Sequence, residues 1–248
     1  MPSPAPVSWI VVADPAALAL AAAQRLLARI DANAGRAAIG LAGGSSPKQL
    51  YQLLASDAYS KRIPWDRVHW FIGDERFVPA GDARNNMLMA REIFLGRFAP
   101  RDHIHPIPTD VADPDESANR YERELKSFYG ADDFDPARPL FDLVLVGVGP
   151  DGHTASLFPN YPAIAETNRW VVGVPKAHVE PFVPRVTLTL PALASCHEML
   201  FEIAGEEKHA ILTRLLAGEN LPANRARSIG KTVFLVDRAA AGGDLRGG

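Results

Sequence analysis

Asp151 and His153 lie two residues apart in the stretch LVLVGVGPDGHTASLFPN, Leu143 to Asn160. Histidine ordinarily titrates near pH ~6.5, so a neutral imidazole accepts a proton from water without heavy tuning. A histidine presented just after a glycine-rich turn, beside a carboxylate, is a candidate general base. Gly147, Gly149 and Gly152 also fit the G-x-G-x-x-G spacing of a dinucleotide-binding turn. That turn requires a long helix after its third glycine and an acid at the end of the next strand to hold the ribose. Here HTASLF soon meets Pro159 and Pro162, and the next apolar run, RWVVGV, ends in Pro175 and Lys176. The stretch therefore reads as an acid–base site, and no nucleotide is expected.

Two further segments carry polar residues of the right kind. AGGSSPKQLYQLL combines Gly43 and Gly44, which let the backbone approach a ligand, with Ser45, Ser46 and a proline that opens a helix. It reads either as an anion site, with free N–H groups facing a phosphate, or as an ordinary turn with Ser45 or Ser46 as N-cap. In WFIGDERFVP, Asp74, Glu75 and Arg76 either bind a polar substrate or pair with one another. His69, His178 and His197 read as solvated or hydrogen-bonded side chains. His103 and His105, two residues apart with no cysteine or third histidine nearby, do not make a metal site.

These segments share a position, because each leaves the carboxyl end of an apolar run: GGSSP after AAIGLA, GDER after RVHWFI, GPDGH after FDLVLVGV. Further strand-like runs are SWIVV, RWVVGV, RVTLTL, MLFEIAG and KTVFLVD, several of them continuous rather than alternating, as in strands buried on both faces. Helical segments fall between many of them. DPAALALAAAQRLLARI has Asp14 as N-cap and Pro15 at its first position; the others are NNMLMAREIFLGRF, ESANRYERELKSFYG and EEKHAILTRLLAG. The alternation predicts an α/β fold: one domain over residues 1–248, a doubly wound, mostly parallel, Rossmann-like sheet with helices on both faces. The Pro/Ala-rich first residues and the Gly-rich last few are expected to fray. In open parallel sheets, ligands sit beyond the carboxyl ends of the strands, so the three loops converge on one cleft.

Composition excludes several classes. The chain has 248 residues, 47% of them hydrophobic, enough for a full core, and a net charge of −3 that offers no basic field to nucleic acid. No run approaches the ~20 apolar residues of a bilayer span, and the start lacks a secretory pattern. Cys196 is the single cysteine, so no internal disulfide forms and a reducing, cytoplasmic setting is expected.

The motifs resemble those of 6-phosphogluconolactonases. GVGPDGHTASLFP looks like their G-x-G-x-D-G-H-x-A-S-L-F-P motif, GGSSP like their G-G-[ST]-[ST]-P loop, GDERFVP like their D-E-R loop, and Asn86 like the asparagine before their M-A-R-E-like helix. PRVTLTL is similar to P-R-[IV]-T-[LM]-T, GEEKHAIL to G-x-x-K, and VDRAAA to the terminal D-x-A-A, so that the matches span residues 43–240. Position 46 is serine where threonine is common, which keeps the hydroxyl, and EPFVPR replaces a more uniform proline run before Arg185. The resemblance implies a fold shared with glucosamine-6-phosphate deaminases and hydrolysis of 6-phospho-D-glucono-1,5-lactone, without cofactor, in a monomer or small homo-oligomer. It implies His153 as base, Asp151 or Asp74 as its orienting carboxylate, and Arg76 or turn N–H groups at the oxyanion. The phosphate then falls to Gly43, Gly44, Ser45, Ser46, Asn86, Arg185 and Lys208. In amino-sugar deaminases the corresponding motif resembles D-G-H-I-A-F-N-E-P; its trailing glutamate has no counterpart in DGHTASLFP. A sugar-phosphate sensor of a transcription regulator would carry a DNA-binding helix pair, which an opening strand at Ser8 leaves no room for.

Overall fold

The computed structural model describes residues 6–243. Most of the two end segments expected to fray, residues 1–5 and 244–248, lie outside it. Ten strands occur among the described residues: β1 (Val7–Val12), β2 (Ala37–Leu41), β3 (Val68–Ile72), β4 (Asp74–Arg76), β5 (Ile104–His105), β6 (Phe141–Val146), β7 (Val171–Val174), β8 (Arg185–Leu188), β9 (Cys196–Ile203) and β10 (Lys231–Asp237). Seven form a parallel sheet in the order β1-β10-β9-β6-β2-β3-β5. Every residue of β2 and β6 is buried, as the continuous apolar runs require of central strands.

Helices cover both faces. Neighbouring residues of a strand point to opposite sides, and β3 shows where each side leads. Trp70 meets Phe94 edge-on, and Phe94 stacks on Tyr51 of the helix Lys48–Ala55. Phe71 instead packs against Phe128 of the helix Pro114–Tyr129. Local signals set the helix ends. Asp14 accepts from the Ala17 N–H at 2.8 Å ahead of Pro15, and Gly130 closes Pro114–Tyr129 at φ 79°, a cap that only glycine and a few polar residues adopt at low cost. NNMLMAREIFLGRF is helical from Asn86 to Phe98 but widens to a π turn over Arg91–Leu95.

One expectation is corrected. RWVVGV and RVTLTL do not join the main sheet; with Asp74–Arg76 they make a separate three-stranded antiparallel sheet, β4-β8-β7. The reason is the connection between them. A parallel crossover needs a dozen or more residues and usually a helix, whereas residues 175–184 contain no regular element and simply turn back. The segment GDER, expected as a loop, is the strand that leads from the main sheet into the small one.

β2 and β6 are neighbours, yet the chain proceeds from β2 towards β3 and β5 on one side and from β6 towards β9 and β10 on the other. The loops leaving their carboxyl ends therefore diverge and open a crevice, the topological switch point at which such sheets bind ligands.

Candidate active site

A cleft of about 230 Å³ lies at that switch point. Gly43, Gly44, Ser45 and Ser46 line it from the β2 loop, Asp74 and Arg76 from β4, Asn86 from its helix, His153 from the β6 loop, Arg185 from β8, and Lys208 from the turn after β9. Asp151 stands behind His153 rather than in the wall.

The β6 turn is built around the imidazole. His153 Nδ1 lies 2.6 Å from Asp151 Oδ1, and the backbone N–H of His153 donates to the same oxygen at 3.1 Å. Burial alone raises the Asp151 carboxyl, but hydrogen bonds and charge from His153, with a further bond from His178, outweigh it and hold the acid far below the usual carboxylate range. An ionised carboxylate only accepts, so Nδ1 carries the proton, and the neutral ring keeps its lone pair on Nε2. Nε2 has no protein partner among the described residues. Of the two candidate carboxylates, Asp151 is the one bonded to His153, whereas Asp74 Oδ2 is engaged by the Ser156 hydroxyl at 2.6 Å. Gly149 makes the arrangement possible, because a β-carbon there would overlap the His153 ring. No long helix follows Gly152: Thr154 and Leu157 form an isolated bridge, and a short 3-10 turn begins only at Pro162.

The cleft also holds the cations Arg185 and Lys208. Arg185 is 3% exposed, and its Nη2 donates to the Pro181 carbonyl at 2.8 Å, while the buried Nε and Nη1 have no partner. Burial pulls its pKa down, Asp74 opposes this and Arg76 adds to it, but a guanidinium remains charged in proteins. Buried donors without acceptors cost free energy unless a ligand satisfies them, so this side chain is suited to an anion. Lys208 Nζ donates to the Val148 carbonyl at 2.7 Å, and burial lowers its pKa.

The β2 loop no longer reads as a capped turn. The helix Lys48–Ala55 begins after Pro47, with no side-chain cap, so neither serine hydroxyl serves as N-cap. Gly44 takes φ 83°, and Gly43 sits against the Asn86 amide so closely that any β-carbon would collide with it. Asn86 Nδ2 donates to the Asp74 carbonyl at 2.9 Å, and its buried Oδ1 lacks a partner. Glu75, which sequence reasoning left as an ion-pair candidate, points away from the cleft. Its carboxylate accepts from the N–H groups of Asn86 at 2.6 Å, Arg76 at 2.8 Å and Met87 at 2.9 Å, and burial pushes its pKa up to about 7. It anchors the helix carrying Asn86 beneath the loop.

Sequence reasoning missed two residues. Ser156 holds Asp74, eighty-two positions away in the chain. His178, read as solvated or hydrogen-bonded but with no partner named, donates from Nε2 to Asp151 Oδ2 at 2.8 Å, so two imidazoles share one carboxylate. His69, His103 and His105 adjoin one another outside the cleft lining: His69 Nδ1 lies 2.9 Å from His105 Nε2, and His105 Nδ1 lies 2.6 Å from Glu124 Oε1. Cys196 is buried, its thiol pushed up to about 12 by that burial, so it is no nucleophile. Asp237 of VDRAAA caps the last helix, accepting from the Ala240 N–H at 2.8 Å. Among the described residues no helix is long and apolar enough to cross a membrane.

Residues 13–234 match the family described as glucosamine-6-phosphate isomerases/6-phosphogluconolactonase. The chain belongs to that family. It is 39% identical to a 6-phosphogluconolactonase of Synechocystis sp., over 87% of each chain. A solved 6-phosphogluconolactonase from Trypanosoma cruzi superposes with a TM-score of 0.84 at 31% identity, over 97% of both chains. A monomeric glucosamine-6-phosphate deaminase superposes with a TM-score of 0.80 at 19% identity, over 95% of this chain and 99% of that one, a likeness of fold alone.

Proposed function

We propose that this protein hydrolyses 6-phospho-D-glucono-1,5-lactone to 6-phospho-D-gluconate, the lactone-opening step of the oxidative pentose phosphate pathway, with His153 activating the attacking water. One juxtaposition carries the reading: an Asp151-oriented imidazole with a free Nε2 lines the same cleft as a buried Arg185 with two unpartnered N–H groups. The first supplies a base and the second an anion site, as a phosphorylated lactone demands.

In this reading the water oxygen bonds to C1 as His153 Nε2 takes its proton, and negative charge moves onto the carbonyl oxygen. Collapse of the tetrahedral intermediate breaks the bond from C1 to the ring oxygen, which recovers the proton from His153 as it leaves. Donors aimed at the oxyanion are usually the largest catalytic term. The N–H groups of Gly149, Gly152 and His153 already donate to the His153 carbonyl, the Gly149 carbonyl and Asp151. Arg76, whose Nη1 donates to the Arg84 carbonyl while the side chain lines the cleft, is the favoured donor. The phosphate lies against Gly44, Ser45 and Ser46 and takes charge from Arg185 and Lys208. The polar Asn86 amide at Gly43 supports that loop from behind.

The test is hydrolysis of freshly generated lactone, measured above its spontaneous opening. His153→Ala is expected to lower kcat by roughly 10²- to 10⁴-fold with the fold intact, the usual effect of losing a general base. Unchanged turnover in a folded variant removes His153 from the mechanism, and ammonia release from glucosamine 6-phosphate instead of lactone hydrolysis overturns the assignment.

A further inference from the structure

We propose that His178 is a positioning residue, which locks the Asp151 carboxylate and thereby keeps His153 in its Nδ1–H tautomer with Nε2 facing the cleft. The inference rests on the hydrolytic reading above for its effect on turnover, but the geometry stands apart from it. Asp151 presents Oδ1 to His153 at 2.6 Å and Oδ2 to His178 at 2.8 Å, so both oxygens are engaged and the carboxylate plane is fixed from two sides. With His153 alone, the carboxylate keeps a free oxygen and rotates about its terminal torsion, which is broad for aspartate. Each excursion breaks the bond that decides which ring nitrogen is protonated.

His178 is exposed to solvent on one side, but its ring is seated against two aromatic side chains. Phe158, 1% exposed, packs against both imidazoles, its ring centre 4.9 Å from that of His153 and 5.0 Å from that of His178, and Tyr161 lies against His178 at 5.3 Å. The residue belongs to the connection between β7 and β8. That connection also sends Val179 and Glu180 into the cleft wall and offers the Pro181 carbonyl that holds Arg185. One short segment thus touches the base through Asp151 and the anion-binding guanidinium through Pro181. Its seating therefore bears on both groups.

Two variants separate the hydrogen bond from the packing. His178→Phe keeps a ring against Phe158 and Tyr161 but removes the donor, and His178→Gln keeps a donor on a side chain of similar reach. His178→Phe is expected to lower kcat on the lactone by roughly ten-fold, the low end of the loss seen when a partner that orients a metal-bound histidine is removed, with KM within about two-fold of wild type. His178→Gln is expected to restore most of the loss. In nitrogen-15 side-chain spectra of the full chain, the His153 Nδ1–H proton is expected to be protected from exchange in wild type, to exchange faster in His178→Phe and to recover in His178→Gln. That signal tests the positioning even in a protein without lactonase activity, where the functional reading fails and this one survives. A His178→Phe protein with wild-type kcat and a wild-type Nδ1–H signal overturns it. So does a rise in KM at unchanged kcat, which makes the segment a substrate contact instead.

Discussion

Gly149 and His153 occupy space that only a glycine at position 149 can share: a β-carbon there would overlap the imidazole, whose Nδ1 is held by Asp151. The ring is the mobile partner in that clash, and Gly149 has no left-handed backbone to lose. Gly149→Ala is therefore expected to displace the imidazole proposed as the base rather than unfold the protein. Misplacing a catalytic group by about 1 Å costs on the order of 10²-fold. The predicted outcome is a fall in kcat approaching that of His153→Ala, with a thermal midpoint close to wild type. A large drop in midpoint with proportionate activity would show that the glycine serves packing alone.

Stability should fall as the solution becomes alkaline, and Glu202 is the reason. It is fully buried in β9 with Oε1 unpartnered, and burial pushes its pKa from the ordinary 4.5 up to about 8. A folded-state pKa above the unfolded one gives stability that is fully present below pH 4.5 and is lost as pH rises through about 8. Glu75, raised to about 7, acts in the same sense over a lower window. Each tenfold difference in proton affinity between the folded and unfolded chain is worth about 1.4 kcal/mol, or roughly 3–5 °C in a chain of this size. Melting curves between about pH 6 and 9 are expected to show the decline in wild type and a flatter profile in Glu202→Gln.

On the acid side, His69 acts in the opposite direction. Burial first, then the charges of His103, His105 and Arg36, lower its pKa from 6.5 to about 4, partly offset by Asp102. The folded state resists the proton that the unfolded chain accepts, so stability present above pH 6.5 declines towards about 4. His69→Phe should reduce that decline in melting curves without changing turnover, since the cluster lies outside the cleft.

Chelation should leave the activity unchanged. His105 presents its two ring nitrogens to His69 and Glu124, and His103 Nδ1 faces the Trp65 carbonyl at 3.2 Å. Among the described residues, no three His, Cys, Asp or Glu side chains are grouped as a metal site requires. Dialysis against a strong chelator followed by the lactone assay checks this, and loss of activity restored by zinc would contradict it.

What was legible in the sequence follows from what is local. AAIGL and FDLVLV read as buried strands because burial on both faces leaves a continuous apolar run, and GGSSP, GDER and GPDGH stand out because each breaks such a run with polar residues. Strand direction is not local. RVTLTL has the same composition whether it joins a parallel sheet or pairs antiparallel with Asp74–Arg76, and only the brevity of the 175–184 connection signalled the second. Asp151 and His153 are two residues apart and could be read together. His178 reaches Asp151 from 27 positions away, on a segment whose place over the cleft depends on the small sheet. Its pairing was invisible without the fold.

Recognition should centre on the phosphate, and this separates a sugar-phosphate lactonase from a general esterase. A dianion held by Arg185, Lys208 and backbone N–H groups receives charge-assisted hydrogen bonds worth roughly 1.5–3 kcal/mol each, which a hydroxyl cannot match. Arg185 is buried, so Arg185→Lys is a gentler change than truncation; it keeps the charge but not the planar fork that leaves Nε and Nη1 free for two oxygens. Lys208 is half-buried, and Lys208→Ala is suitable there. Either change is expected to raise KM for 6-phosphogluconolactone by about ten-fold or more, since about 1.4 kcal/mol already gives that factor. Residual activity on unphosphorylated gluconolactone should barely alter, because that substrate never uses the contact. Comparing kcat/KM for both lactones in wild type and both variants isolates the phosphate contribution. Equal losses on the two substrates would place these cations at the carbonyl or in the fold, and the phosphate site would have to be sought elsewhere in the cleft.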